Sequence, residues 1–378
     1  MTGGRLNLSC RLRRTPYTDR VEALGGRDFS VVNHMLLPKS FRQSPEEAYW
    51  HLREQVQIWD VSCQRQVDIR GPDAGRLAQW MTPRNLSQAA VGDCLYAPLT
   101  DANGGLVNDP IALKLADDRW WLSIADSDVL LWARGLALGA RLDVEVGEPD
   151  VSPLAIQGPR AEALMATVFG DAVRALRFFR FAHFDFMGGR QLIARSGYSR
   201  QDGFEIYLDD GRLGAPLWDA LWEAGQAFDI APGGPNLAER IEGGLLSYGN
   251  EMSRATNPLE CNLEAFCDLS GAVDCLGMDA LRACAAAGVT RQIRGLIIEA
   301  RCPPCAWPWP VSPARPAALP DGGGRRVGEV TSAAWSPRLR ATVALAMLAR
   351  DFWTPGMRVQ VQTPAGARPG VVSDLPFA

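Results

Sequence analysis

Histidine is scarce in this chain. There are three in 378 residues, His34, His51 and His183, and no two stand at the spacing of metal ligands. A closed structural zinc site needs a full tetrahedral ligand set, so imidazole-based metal chemistry is not expected. H-E-x-x-H, G-x-x-x-x-G-K-[ST] and G-x-S-x-G are missing, as is any G-x-G-x-x-G between a strand and a helix. Their absence removes the metalloprotease, P-loop, α/β-hydrolase and dinucleotide-binding readings. No apolar run approaches the roughly 20 residues that span a bilayer. The opening Met1–Arg14 is polar and basic and lacks the apolar core of a signal peptide. Net charge is −4, which offers no surface for a polyanion. The expectation is a cytoplasmic protein that engages neither membrane nor nucleic acid, with its nine cysteines reduced. Cys302-Pro-Pro-Cys305 has ligand spacing, but no second Cys or His pair accompanies it, so no metal is expected there either.

What is present is an ordinary globular composition, 47% hydrophobic and 22% charged, in a chain too long for one core. Ser44 and the acidic residues after it predict a helix over 45–56. Strands are predicted at 67–69, 119–124 and 154–157, and two more around a turn at 199–203. A hairpin is predicted with strands 94–99 and 106–115 about Asp101–Gly105. Helices are expected over 73–81, 128–138, 161–168, 217–228 and 236–246. Ile69-Arg70-Gly71-Pro72 is echoed by Ile156-Gln157-Gly158-Pro159, each between a strand and a helix, which suggests two similar α+β units. Beyond about residue 285 the chain reads as short strands with turns, broken by dense proline over 303–320, and a small β-barrel or sandwich is expected. The organisation expected is a catalytic region over 1–285 and a β-barrel domain over 286–378.

Four segments carry a family resemblance: Gly104-Gly105-Leu106-Val107-Asn108-Asp109; the run from Ala194 through Ser196, Tyr198 and Glu205 to Tyr207; Glu239-Arg240-Ile241-Glu242-Gly243 on to Glu251; and Gly328-Glu329-Val330-Thr331-Ser332 on to Pro337. In order and spacing they resemble the aminomethyltransferase family, the T-protein of glycine cleavage, over nearly the whole chain. Asn33-His34-Met35-Leu36-Leu37-Pro38, Val56–Val61, Arg65-Gln66-Val67 and Ser123–Asp128 look like the dimethylsulfoniopropionate demethylase branch of that family. The resemblance implies a three-domain disc, with two folate-binding α+β domains and a C-terminal β-barrel. It implies tetrahydrofolate as the cofactor and methyl transfer from a sulfonium to N5. The alternatives are another sulfonium or methylated amine as donor, glycine-cleavage aminomethyl transfer, or a non-catalytic folate-binding protein. The last lacks support, since the Lys-Gly-Cys motif of such proteins is absent. A homodimer is compatible with this family.

The resemblance also implies roles. Asp109 would be the catalytic acidic residue near N5; read alone, it can equally be a turn-end Asp bonding its own backbone. Glu205, between Phe204 and Ile206, would meet the pterin N–H and amino donors with two parallel hydrogen bonds. Strand alternation alone would instead send it to solvent. Arg240 would contact folate, although its neighbours Glu239 and Glu242 also suit a solvated helix face. Tyr207 and Tyr96 would wall the cofactor, and Tyr198, Val32 and His34 the methyl donor, since aromatic faces suit both a flat pterin and a cation. The chain departs from the demethylase pattern at Val32, Leu95, Tyr198 and Arg200-Gln201-Asp202, segments expected near the donor.

Overall fold

The computed structural model describes residues 9–271, 273–314 and 325–377, so the proline-dense stretch 303–320 lies partly outside the described residues. Two compact units are present. The first comprises the chain up to Ala78 with Leu86–Tyr96 and Pro110–Asn236, and the second comprises Gln79–Asn85, Ala97–Asp109 and the chain from Leu237 onward.

The first unit contains two antiparallel sheets of the same design. In one, Gln66–Arg70 lies between Glu145–Gly147 and Arg119–Ser123, followed by Ile111–Ala116 and Cys94–Tyr96. In the other, Ser152–Gln157 lies between Val56–Asp60 and Gly203–Leu208, followed by Gly189–Ala194 and Phe181–Phe186, with Ile230–Pro232 added parallel to Val56–Asp60. The strand leading into each half is therefore paired in the sheet of the other. The four-residue echo seen in the sequence marks equivalent turns. Gly71 N–H donates to the Asp118 carbonyl (2.9 Å) and Gly158 N–H to that of Asp202 (2.8 Å). Both glycines hold positive φ, +128° and +127°. A Cβ on Gly71 would lie 2.6 Å from the Asp143 carbonyl oxygen, and one on Gly158 would lie 2.3 Å from that of Gln55. Only glycine permits this backbone approach. The sheets join edge to edge at a reciprocal bridge, with Cys94 N–H donating to Phe179 (3.0 Å) and Phe181 N–H donating to Gly92 (2.9 Å).

The helix Pro45–Glu54 forms as expected, with Ser44 and Glu47 closing a capping box. Val56, expected as its end, instead starts a strand. The single hairpin expected over 94–115 is corrected to two ladders. Cys94–Tyr96 pairs with Ile111–Ala116, and Leu99–Thr100 pairs separately with Leu106–Asn108. Pro98 and Pro110 interrupt opposite strands at matching places, and a residue without an N–H cannot continue a ladder.

The second unit ends in a closed six-stranded barrel ordered Arg291–Ile298, Ala341–Ala349, Gly328–Ser336, Trp309–Pro313, Arg358–Thr363, Gly366–Ser373. Closure removes sheet edges. Cys302 belongs to the barrel core and Cys305 packs against it. Burial pushes the Cys305 thiol up to about 11, so it stays protonated near neutrality. Among the described residues, no three His, Cys, Asp or Glu side chains are grouped to hold a metal ion. None of the described helices is long and apolar enough to cross a membrane.

Candidate active site

Strand Gly203–Leu208 is buried along its whole length. Glu205 is only 5% exposed, so the solvent-facing reading of this carboxylate does not hold. A buried carboxylate requires hydrogen-bond donors, and Glu205 receives them from the loop after strand Gly189–Ala194 and from its own strand. Ser196 Oγ donates to Glu205 Oε2 at 2.5 Å, and the Tyr207 phenol donates to the same carboxylate. The Ser123 hydroxyl donates to Tyr207, and Gln66 Nε2 to Ser123 Oγ at 3.2 Å. The donors thus form a chain running toward one anion. Burial pushes the Glu205 carboxyl above its usual range, and the Ser196 and Tyr207 bonds pull it part of the way back. The same burial, and then the Glu205 charge, raises the Tyr207 phenol well above the ordinary tyrosine range. The Trp121 ring lies 6.2 Å from that of Tyr207, and its buried indole N–H has no acceptor among the described residues. Counting from the equivalent residues Asp118 and Asp202, Trp121 occupies the place of Glu205 and Ser123 the place of Tyr207. Trp121, Ser123, Ser196 and Gln66 had no role in the sequence reading. Gln66, Ser123 and Ser196 lie in quoted motifs and Trp121 does not, but nothing in the sequence signals a bond between residues so far apart.

The loop carrying Tyr198 is anchored at both ends. Arg195 Nη2 bonds Glu162 (2.9 Å) and Asp202, while Gln157 Nε2 donates to the Ser196 carbonyl (3.0 Å) and Gln157 Oε1 accepts from Ser199 (2.7 Å). A Cβ on Gly197 or Gly203 would lie within 2.2 Å of the Gln157 side chain, which explains the two glycines flanking this loop. Tyr198 itself is half-buried. Tyr96 ends strand Cys94–Tyr96 opposite Ile111.

Val32 and His34 sit on a hairpin, Ser30–Val32 with Met35–Leu37, whose two central residues Asn33 and His34 hold φ of 49° and 62°. Positive φ at both is the signature of the tight turn that suits strand twist. His34 is exposed at the tip, and Val32 packs on Met35, Leu37 and Cys63. The Asn33 side chain donates to the carbonyls of Cys63 (2.9 Å) and Ala125 (3.1 Å), and its backbone N–H bonds Asp126. Ile124 N–H bonds the Arg65 carbonyl. The separate motifs at 33–38, 65–67 and 123–128 are thus one local structure.

In the second unit, Asp109 follows strand Leu106–Asn108 and is half-buried. Arg240 lies on Leu237–Glu242, and the solvated-face reading fails because the residue is 5% exposed. Its Nη1 bonds Glu251 (3.1 Å) and the Leu245 carbonyl (3.1 Å), and its Nη2 bonds Ser332 (2.6 Å).

The GCVT N-terminal domain model matches residues 17–271, and the glycine cleavage T-protein C-terminal barrel domain model matches residues 291–378. The chain belongs to the glycine cleavage T-protein family. One T-protein relative, dimethylsulfoniopropionate demethylase DmdA of Ruegeria pomeroyi, is 49% identical over 366 residues, covering 97% of this chain and 97% of its own. The aminomethyltransferase of Symbiobacterium thermophilum is 31% identical over 378 residues, again with 97% of each chain covered. In fold, the chain is similar to the glycine cleavage system aminomethyltransferase T from Bartonella henselae, with a TM-score of 0.85 at 24% identity, covering 97% of this chain and 98% of that one. The T-protein fold expected from the sequence, α+β with a C-terminal barrel, is the fold observed.

Proposed function

We propose that this chain is a tetrahydrofolate-dependent demethylase that moves a methyl group from dimethylsulfoniopropionate to N5 of tetrahydrofolate, giving methylmercaptopropionate and 5-methyltetrahydrofolate. The observation that carries the proposal is 49% identity to the Ruegeria demethylase over 97% of both chains. The chemistry of the first unit fits the cosubstrate. Glu205 is an anion held in place by donors on its protein side, which leaves acceptor capacity for a pterin's ring N–H and amino group. Tyr207, with Trp121 against it, supplies aromatic surface, and Tyr96 is assigned to the same wall.

In the transfer, the C–S bond breaks with its electron pair passing to sulfur, which loses its positive charge. The N5 lone pair forms the new C–N bond, and the N5 proton departs. We assign that proton to the Asp109 carboxylate. Departure as a neutral thioether needs no acid catalyst, so most of the rate comes from aligning N5, the methyl carbon and sulfur. Tyr198, Val32 and His34 are assigned to the donor side, where an aromatic face and the absence of competing cations suit a sulfonium. Arg240 is assigned to the cosubstrate side through the loop it holds. Val32, Leu95 and Tyr198 motivate a second reading with the same folate chemistry and a different onium or methylated amine as donor.

The deciding experiment incubates the protein anaerobically with tetrahydrofolate and dimethylsulfoniopropionate. Equal amounts of methylmercaptopropionate and 5-methyltetrahydrofolate are expected. Folate binding without turnover selects the second reading, and loss of both overturns the assignment.

A further inference from the structure

The barrel strand Gly328–Ser336 has an irregularity that local geometry alone does not require. Its pairing with Ala341–Ala349 shifts register between Val330 and Ser332, leaving Thr331 as an extra residue. On a regular strand, neighbouring side chains point to opposite faces, and a bulge re-aims them. Here both hydroxyls reach one atom: Ser332 Oγ donates to Glu251 Oε1 at 2.5 Å, and Thr331 Oγ1 shares its proton between that oxygen (3.3 Å) and the Leu345 carbonyl (3.2 Å). The other oxygen, Oε2, accepts from Arg240 Nη1 (3.1 Å) and from the backbone N–H of Ser247 (2.8 Å). Glu251 is 3% exposed, and a charge this buried is tolerated only when fully bonded.

Glu251 in turn shapes the turn before it. Its own N–H and that of Asn250 both bond the Ser247 carbonyl (3.1 Å each), and Gly249 N–H bonds Met252. This turn presents Tyr248, whose phenol donates to the Leu106 carbonyl at 3.1 Å. Leu106 N–H is held by the Thr256 carbonyl at 2.9 Å, so both backbone polar groups of Leu106 are fixed from one segment. The preceding Gly105 packs so closely that a Cβ there would lie 2.5 Å from the Arg254 carbonyl oxygen. Leu106 opens the strand that delivers Asp109. The phenol is raised first by burial; the Arg254 cation opposes that rise, and the Asp109 and then the Asp101 charge add to it.

We propose that Tyr248 is a positioning residue for Asp109, and that the barrel's Thr331–Ser332 bulge, acting through Glu251, holds Tyr248 in place. The catalytic part of the inference rests on the function proposed above; the positional part does not. Two measurements on the full chain separate them. The Tyr248 phenol is titrated by ultraviolet difference against Tyr248→Phe. Neutralising the nearby anion with Asp109→Asn should move that titration to lower pH. A titration unmoved by Asp109→Asn overturns the positioning, whatever the substrate. Kinetically, Tyr248→Phe should lower kcat about tenfold, with KM for tetrahydrofolate within twofold and the melting temperature little changed. Ser332→Ala should lower kcat likewise, and adding it to Tyr248→Phe should cost little more, because both act on one link. Thr331→Val, which keeps side-chain volume, guards against misfolding of the Ser332 variant and should show the same non-additivity. Additive losses, or unchanged kcat in Tyr248→Phe, would overturn the link from barrel to Asp109. If wild type fails to turn over dimethylsulfoniopropionate, the proposed function fails and the titration alone decides the placement of Tyr248.

Discussion

Glu205 can remain buried because the hydrogen bonds around it run in one direction. Gln66, Ser123 and Tyr207 each pass a donor to the next, and with Ser196 they converge on one carboxylate. In a medium of low polarity such bonds are strong, and any missing member is costly. Tyr207→Phe should therefore weaken tetrahydrofolate binding about tenfold, of the order expected for one hydrogen bond to a charged group. The pH dependence follows from the direction of the shift. The folded carboxyl titrates above its unfolded value, so its ionised form opposes folding near neutrality, and that penalty disappears as pH falls below the unfolded value. Binding depends on the ionised form, so affinity should fall on acidification through the raised value, and Tyr207→Phe should move the acid limb to higher pH. Fluorescence titration with the folate across pH 4 to 8 checks both statements; an acid limb at the same pH in wild type and variant would refute the link. Glu205 was legible in the sequence as a carboxylate between two large apolar residues. Its donors were not, because Gln66, Ser123 and Ser196 come from three distant segments that only folding brings together.

Turns and strands tell more of the history of the chain than single side chains do. The short Ile-x-Gly-Pro echo was weak as a sequence signal, yet it marks the two places where a strand passes into a helix beneath the next strand's backbone. Gly158→Ala should destabilise the protein by about 2–4 kcal/mol, because it combines a left-handed backbone with a Cβ 2.3 Å from a carbonyl oxygen. Gly135→Ala offers the contrast. It lies in helix Val129–Gly139 with nothing within 4 Å of the added Cβ. That change should stabilise by about 0.5–1 kcal/mol. Urea denaturation of the two variants should give shifts of opposite sign. The same scale explains what was misread. Alternation over 94–115 predicted one long hairpin, but Pro98 and Pro110 each lack the N–H that would carry the ladder across, so the two halves pair in different sheets.

At the scale of the whole molecule, the sequence already revealed a repeated α+β region and a β tail. It did not reveal that the repeats share strands, because local periodicity carries no information about partners. Val56–Asp60 precedes the first repeat and pairs in the sheet of the second; Glu145–Gly147 precedes the second and pairs in the sheet of the first. A fragment ending between the repeats should therefore not unfold cooperatively by circular dichroism, nor should its complement, whereas mixing the two should restore a single transition. Cooperative unfolding of either piece alone would contradict the pairing. The arrangement also has a consequence for synthesis. Every residue of Val56–Asp60 is buried in the finished fold, yet its antiparallel partner Ser152–Gln157 leaves the ribosome much later. At ordinary elongation rates the wait is roughly 5–20 s. For that interval a nascent chain carries a strand destined for burial, with Val56, Ile58 and Trp59 exposed and no mate, which makes the early part of translation the moment at which this protein most needs a chaperone.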